Sequence, residues 1–302
     1  MPRILSRSFW NPDIAVDLGT AVTRVTHGEG APLEHLSIAG DKPALRSGVV
    51  ADPDATVAVL QPLIRAAKKL GIMRPRALAC VPTDANDQER GAVIDCLFRA
   101  GVSAVIVVPE PLAAAVGAGV DVSSPCAHMI IDIGEGVTDC AIIKEGAVVA
   151  SRAVRIGCGE LRDALRKGIM ERWCIQITQD EAEYGLRTLG ISSRNEGDEH
   201  DNPITKWLPA TSVYCAMEPV VKTMLCGITS LLRDIQSKLY CDIIDNGLLL
   251  SGGGSLLRGM RERIAAETRL NVSLAVDPLG AVVTGAQAML SVAATLKLWH
   301  QP

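Results

Sequence analysis

The chain has 302 residues, of which 48% are hydrophobic, 21% charged and only 3% aromatic, which excludes a disordered or collagenous protein and leaves a globular one with an aliphatic core. Single hydrophobic cores rarely grow past roughly 250–300 residues, so two domains are expected. A formal net charge of −4 gives no basic field able to neutralise a run of phosphates, and no nucleic-acid partner is expected.

Nine cysteines are scattered through apolar stretches with no C-x-x-C pair and in odd number, so a reducing compartment, no zinc site, and buried, inert thiols are expected. No apolar run is read as approaching the roughly 20 residues of a transmembrane helix, nor does the N-terminus read as a signal peptide, so the expected location is cytoplasmic. Residues 2–10 carry Arg3 and Arg7 without an acid, interleaved with Ile4, Leu5, Phe9 and Trp10. That segment reads either as a short contact with the inner face of the membrane, too short to bind strongly alone, or as a frayed, solvated terminus.

In chain order, residues 14–18 read as a strand, Gly19-Thr20 as a turn, and a second strand passes Val22 and Val25 before Gly28 and Gly30 stop it. Residues 31–53 have weak periodicity and read as a loop with at most a stub of strand. A helix at 56–69, a strand at 77–81, a helix from near Asp87 to Gly101 capped by Asp84 or Asn86, and a strand at 104–108 follow. Pro109-Glu110-Pro111 then opens an alanine-rich helix to Gly119, since proline is tolerated in a first helical turn. This alternation of strand and helix predicts an α/β sheet layer.

The second half repeats the opening. A strand at 128–133 runs into Gly134-Glu135-Gly136, and strands at 140–143 and 148–153 flank a Glu145-Gly146 turn. Helices are expected at 159–173, 179–189 and 218–239, with a solvated loop at 191–209. A strand at 247–250 ends in Ser251-Gly252-Gly253-Gly254 and is followed by a helix, and a strand at 272–276 precedes a terminal helix from about 279. The recurrence of strand, acid, glycine turn and returning strand suggests two similar α/β domains facing one another.

Asp17-Leu18-Gly19-Thr20 sets a carboxylate at a strand end beside a glycine turn whose N–H groups can face phosphate oxygens. Asp132 with Gly134, Glu135 and Gly136 makes a second such turn, and two of them suit a clamp on a triphosphate with magnesium held through its waters. Either aspartate alone is as readily a strand terminator. The run Gly252-Gly253-Gly254 at a third strand end would let backbone approach a flat ligand such as adenine, with the N-terminus of the next helix favouring phosphate.

The strings DLGT (17–20), EPLAAAVGAG (110–119), DIGEGVTD (132–139), VRIG (154–157), LSGGGSLLRGM (250–260) and DPLGAVVTGA (277–286) occur in the order found in the actin, sugar-kinase and heat-shock chaperone ATPase superfamily. Within it, the chain resembles the bacterial actins of the MreB type. The resemblance implies an actin-like, ribonuclease H-like fold of two similar α/β domains around a nucleotide cleft. Domain I would be 11–120, with subdomain IB reduced to about 28–48. Domain II would be 121–302, with subdomain IIB at about 158–240 and a C-terminal helix at about 279–296 returning to domain I. It implies ATP or ADP with Mg2+ as ligands and, as function, nucleotide-dependent self-association into filaments in cell shape or intracellular organisation, with slow ATP hydrolysis. A non-polymerising nucleotide-binding scaffold is the alternative, and a sugar kinase the weakest option.

Carried over by position, Asp17 and Asp132 would hold Mg2+ through water, and Asp132 and Glu110 would be catalytic, Glu110 orienting the attacking water. Glu110 is otherwise a carboxylate that stabilises a helix dipole. Nucleotide contacts would come from Gly19, Thr20 and Ala21, from Gly134, Glu135, Gly136, Val137 and Thr138, from Gly157, from Glu183 with Arg187, and from Gly252, Gly253, Gly254 and Leu256. Several positions depart from the pattern. Glu135 and Val137 stand where MreB proteins have glycine and threonine, so hydrolysis is in question, although eukaryotic actin carries a similar acid and valine there. Glu135 would repel a triphosphate unless magnesium or a lysine intervenes. Leu186 replaces an adenosine-side lysine, for which Arg187 is the substitute, and Cys158-Gly159 replaces glycine and aspartate. The shortened subdomain IB implies an altered filament interface.

Overall fold

The computed structural model describes residues 13–27, 30–68, 74–191, 210–293 and 299–301; the segment 2–10 and nearly all of the expected loop at 191–209 lie outside them. The chain divides into two compact units, 1–122 with 280–302, and 123–279.

The first unit opens with β1 (Asp13–Leu18), β2 (Val22–His27) and β3 (Leu33–Leu36). The short strands β4 (Ile38–Ala39), β5 (Lys42–Pro43), β6 (Leu45–Arg46) and β7 (Val49–Val50) come next, then α1 (Pro53–Ala67), β8 (Arg76–Val81), α2 (Asp87–Ala100), β9 (Ala104–Pro109) and α3 (Glu110–Gly117). The sheet runs β3-β2-β1-β8-β9, antiparallel across its first three strands and parallel from β1 to β9. Central β1 is apolar through Ile14, Ala15 and Val16, all fully buried, as a strand covered on both faces must be.

The helices begin where side chains cap them. Asp52 accepts from the N–H groups of Asp54 and Ala55 at the start of α1. Asn86 and Glu89 form a reciprocal capping box on α2, which ends on left-handed Gly101. Helix α9 (Ala281–Ala293), the last of the described helices, packs on α3. A Cβ on Gly117 would fall 1.9 Å from the Ala281 carbonyl oxygen, and one on Gly285 would fall 1.7 Å from that of Ala113. Only glycine at both positions lets these backbones come so close. The chain returns to β9 as well, through a bridge between Val105 and His300, and Arg76, paired with Asp13 at 2.6 Å, lies 4.5 Å from the Trp299 ring.

The second unit contains β10 (His128–Ile133), β11 (Thr138–Lys144), β12 (Ala147–Val154), α4 (Cys158–Trp173), α5 (Gln179–Leu189), α6 (Ala210–Asp234), α7 (Ser237–Asn246), β13 (Leu248–Ser251), α8 (Met260–Thr268) and β14 (Val272–Leu274). Its sheet order, β12-β11-β10-β13-β14, repeats the first: a three-stranded antiparallel meander followed by two parallel strands. The two similar α/β domains expected from the recurring motif are therefore present. Leu161, Leu165 and Ile169 of α4, fully buried, pack with Ala182, Leu186 and Leu189 of α5 and with the inner face of α6.

Four expectations are corrected. Residues 31–53 are not a loop with a stub of strand, because β3 completes the first sheet and two two-stranded ladders, β4-β5 and β6-β7, follow it. The helix expected at 218–239 starts earlier and breaks after Asp234, with α7 restarting at Ser237. Within α6, Val213–Asp234 is long and apolar enough to cross a membrane by length and composition, contrary to the expectation that no run approached that length. Its apolarity is that of a core helix, since Val213, Met217, Val221, Met224, Leu225 and Ile228 are buried in the unit. Finally, only Cys80, Cys96 and Cys140 are fully buried, whereas Cys126, Cys174, Cys215, Cys226 and Cys241 are exposed. Burial pushes the Cys96 thiol up to about 11, so the inert character expected of thiols holds for the interior ones.

Candidate functional site

In both units the acids sit at the carboxyl ends of the parallel strands, the edge at which open α/β sheets bind ligands. Asp17 closes β1 at 7% exposure, opposite Arg24 of β2. Arg24 Nη1 lies 3.7 Å from Asp17 Oδ2, and its Nε donates to Glu34 Oε1 at 2.7 Å. The turn carrying Gly19, Thr20 and Ala21 is tied down by the segment beyond β3. The Ser37 hydroxyl donates to the Gly19 carbonyl at 2.6 Å and its N–H to the Ala21 carbonyl at 2.9 Å, while the Gly48 N–H donates to Thr20 Oγ1 at 2.9 Å. A hydroxyl accepting one bond still has its proton to donate. On the same edge, two strands away, Glu110 is the first residue of α3, half-buried behind the N-cap Pro109. The contact of α3 with α9 fixes where that helix begins.

In the second unit Asp132 ends β10, directly opposite buried Asp139 of β11 and Ser251 of β13. The Ser251 hydroxyl donates to Asp132 Oδ1 at 2.6 Å. Burial raises the Asp132 carboxyl above its ordinary range, and the Ser251 bond partly offsets this. Gly134 N–H donates to the Val137 carbonyl at 2.8 Å, closing the hairpin around Glu135 and Gly136, and buried Thr138 donates to the Ile156 carbonyl at 2.8 Å.

That hairpin rests on the start of α4. Cys158 N–H donates to the Gly134 carbonyl at 3.1 Å and Gly159 N–H to that of Glu135 at 2.8 Å. A Cβ on Gly157 would stand 2.5 Å from the Gly134 oxygen, so only glycine fits beneath the turn. Glu160 accepts from the Gly157 N–H at 2.7 Å. Burial pushes the Cys158 thiol up to about 12, so it stays a neutral packing group.

Arg162 of α4, which the sequence reading passed over, is the cation that meets Glu135. Its guanidinium grips both Glu135 oxygens, with Nη1 to Oε2 at 3.1 Å, and reaches Glu183 Oε2 of α5 at 2.7 Å. Arg187 pairs with the other oxygen of Glu183, and Leu186 lies in the core. Glu183 is held below the usual carboxylate range by Arg187 and Arg162, working against the burial that would raise it.

The triple glycine differs from expectation. A Cβ on Gly252, whose φ is +77°, would meet the Ile133 carbonyl oxygen at 2.4 Å, and one on Gly254 would meet Ile133 Cγ2 at 2.2 Å. These two glycines answer to the protein's own β10, while Gly253 is more open, with Leu279 Cδ2 nearest at 3.4 Å. The element after them is a single 3-10 turn, Gly253–Leu256, with Leu256 exposed, and α8 begins only at Met260. The helix expected to follow the glycines is present, with the 3-10 turn set between them and its N-terminus.

Two sheets of one strand order, each ending its central strand in a buried aspartate beside a glycine turn, define an actin-like protein. The sequence profile of the MreB/Mbl protein matches residues 35–298, and the chain belongs to that family of actin-like cytoskeletal proteins related to cell shape. It is 31% identical over 255 residues to the cell shape-determining protein MreB of Haemophilus influenzae, covering 80% of this chain and 73% of that one. With MreB of Pasteurella multocida it shares 29% identity over 326 residues, covering 92% and 93%. The solved structure of MreB5 of Spiroplasma citri bound to AMPPNP matches with a TM-score of 0.81 at 25% identity, covering 94% of this chain and 97% of that one.

Proposed function

We propose that this chain is a cytoplasmic actin-like protein that binds ATP or ADP and self-associates into filaments. The observation that carries the reading is the duplicated acid-and-glycine turn, at Asp17 and at Asp132, each at the carboxyl edge of its own sheet. The AMPPNP held by the Spiroplasma relative supports it. The residues assigned to nucleotide contact are Gly19, Thr20 and Ala21 at the first turn and Gly134, Gly136, Val137 and Thr138 at the second. Gly157, Glu183 and the 252–256 turn complete the contacts.

The donor set fits Mg2+. Asp17 and Asp132 offer buried carboxylate oxygens, the ligand type of an ion that keeps several waters and takes its remaining ligands from phosphate. Asp132, a buried carboxylate with its charged form disfavoured by desolvation, gains from a nearby cation. Asp17 and Asp132 would hold the hydrated ion, which when bound neutralises phosphate charge. Glu110 accepts a hydrogen bond from a water and aims it along the in-line path toward the terminal phosphate. Hydrolysis is slow, because Val137 offers no hydroxyl at the turn.

The short ladders at 38–50, in place of a full subdomain IB, favour an interface between subunits unlike that of longer relatives, and residues 2–10 are assigned to contact with the membrane face. Electron microscopy and sedimentation of the full chain with and without Mg-ATP, alongside phosphate release, test the reading. Filaments that appear with Mg-ATP support it. Bound nucleotide with no pellet and no released phosphate would replace it with a non-polymerising scaffold, the second reading that the reduced 38–50 segment favours.

A further inference from the structure

Glu135 places an acid inside a turn assigned to a polyphosphate, where like charge would oppose binding. The structure surrounds that acid with compensation. Arg162 lies one helical turn beyond Cys158, whose N–H already holds the Gly134 carbonyl, so α4 grips the turn by its backbone and by its side chain. Arg162 is 12% exposed and Glu135 21%, so solvent screens the pair little. A planar guanidinium bound to both carboxylate oxygens also fixes direction, as an ammonium would not. Gly159 leaves the room, since a Cβ there would lie 3.1 Å from Glu135 Oε1. Through Glu183 and Arg187 the series continues on α5, four alternating charges that sum to zero.

We propose that Arg162 is the positioning residue that lets a phosphate turn bearing Glu135 accept a polyphosphate, by neutralising the acid and holding its carboxylate against α4. The proposal rests on the nucleotide reading above. Its consequence is that the effect of Arg162 scales with the charge of the ligand and is smallest for adenosine, which no purely structural role predicts.

Calorimetry on the full chain with Mg-ATP, Mg-ADP and adenosine, for wild type, Arg162→Met, Glu135→Gln and the double variant, tests it. Arg162→Met should weaken Mg-ATP about tenfold through one uncompensated charge, Mg-ADP less, and adenosine least, and the double variant should recover most of the loss. Glu135→Gln alone should tighten Mg-ATP, and higher ionic strength should shrink every difference. That second variant keeps the test open should Arg162→Met not fold. Equal weakening of all three ligands, no recovery in the double variant, or weaker Mg-ATP binding by Glu135→Gln would overturn the role of Arg162. A wild type that binds none of the three would overturn the nucleotide reading itself.

Discussion

Asp132→Asn should make the nucleotide-free protein more stable and its nucleotide-bound form less so. Removing a carboxylate from water costs several kcal/mol, while a hydrogen bond to a charged group returns about 1.5–3 kcal/mol. The raised Asp132 carboxyl says that desolvation wins over the 2.6 Å Ser251 bond. An asparagine oxygen still accepts that bond and carries no charge, so the variant should gain about 1–2 kcal/mol, or about 2–6 °C in Tm. The sign with pH follows from linkage. A folded-state value raised above 3.8 means that the stability of the protonated form is fully present below the unfolded value and is lost as pH rises through the folded one. The advantage of the asparagine should therefore be full at neutral pH and shrink on acidification. Thermal melts followed by circular dichroism read this directly. With Mg-ATP at a hundred times its Kd, wild type should gain about 2.7 kcal/mol and the variant nothing. A lower Tm for nucleotide-free Asp132→Asn, or the same Mg-ATP shift in both proteins, would refute the reasoning.

Glu110→Ala should leave Mg-ATP binding in place and slow phosphate release about 100-fold, the usual worth of a placed acid–base group; an unchanged rate removes Glu110 from the chemistry. Gly285→Ala pushes a Cβ toward the Ala113 carbonyl and should destabilise by about 1–3 kcal/mol through overpacking, seen as a lower urea midpoint. Asn86→Ala opens the α2 capping box and should cost about 1 kcal/mol in the same titration, with nucleotide binding untouched. Deleting residues 2–10 should reduce co-sedimentation with anionic liposomes, and equal pellets would discard the membrane contact.

The strands that build the site were legible because they are central. β1 and β10 are apolar through their middle, carry an acid at the last position but one and run straight into glycine, a pattern that sheet burial and a tight turn produce together. The ladders β4 to β7 were not, since two residues carry no period and the tie of Ser37 to Gly19 and Ala21 is made in space. The break between α6 and α7 was hidden because no glycine or proline marks 235–236. Cys215 and Cys226 were expected inside from their residue type, but they occupy the outer face of α6, a matter of helical phase. Most consequential was Arg162. Its partner lies 27 positions earlier in the chain, beyond any local pattern, and only the compensation demanded by Glu135 hinted that a cation had to come from somewhere.

The route of the chain through α9 has a bearing on biosynthesis. Residues 281–293 lie against β1, yet they leave the ribosome only after the whole of 123–279. At 5–20 residues per second that is a delay of roughly 10–30 s, during which the first sheet lacks the cover of its last helix. The second unit, contiguous in the chain, can close its core while the first still waits with aliphatic surface open to water. Holdase chaperones would thus find their substrate in the N-terminal part of the nascent chain, and a premature stop before 281 would cripple the part made first.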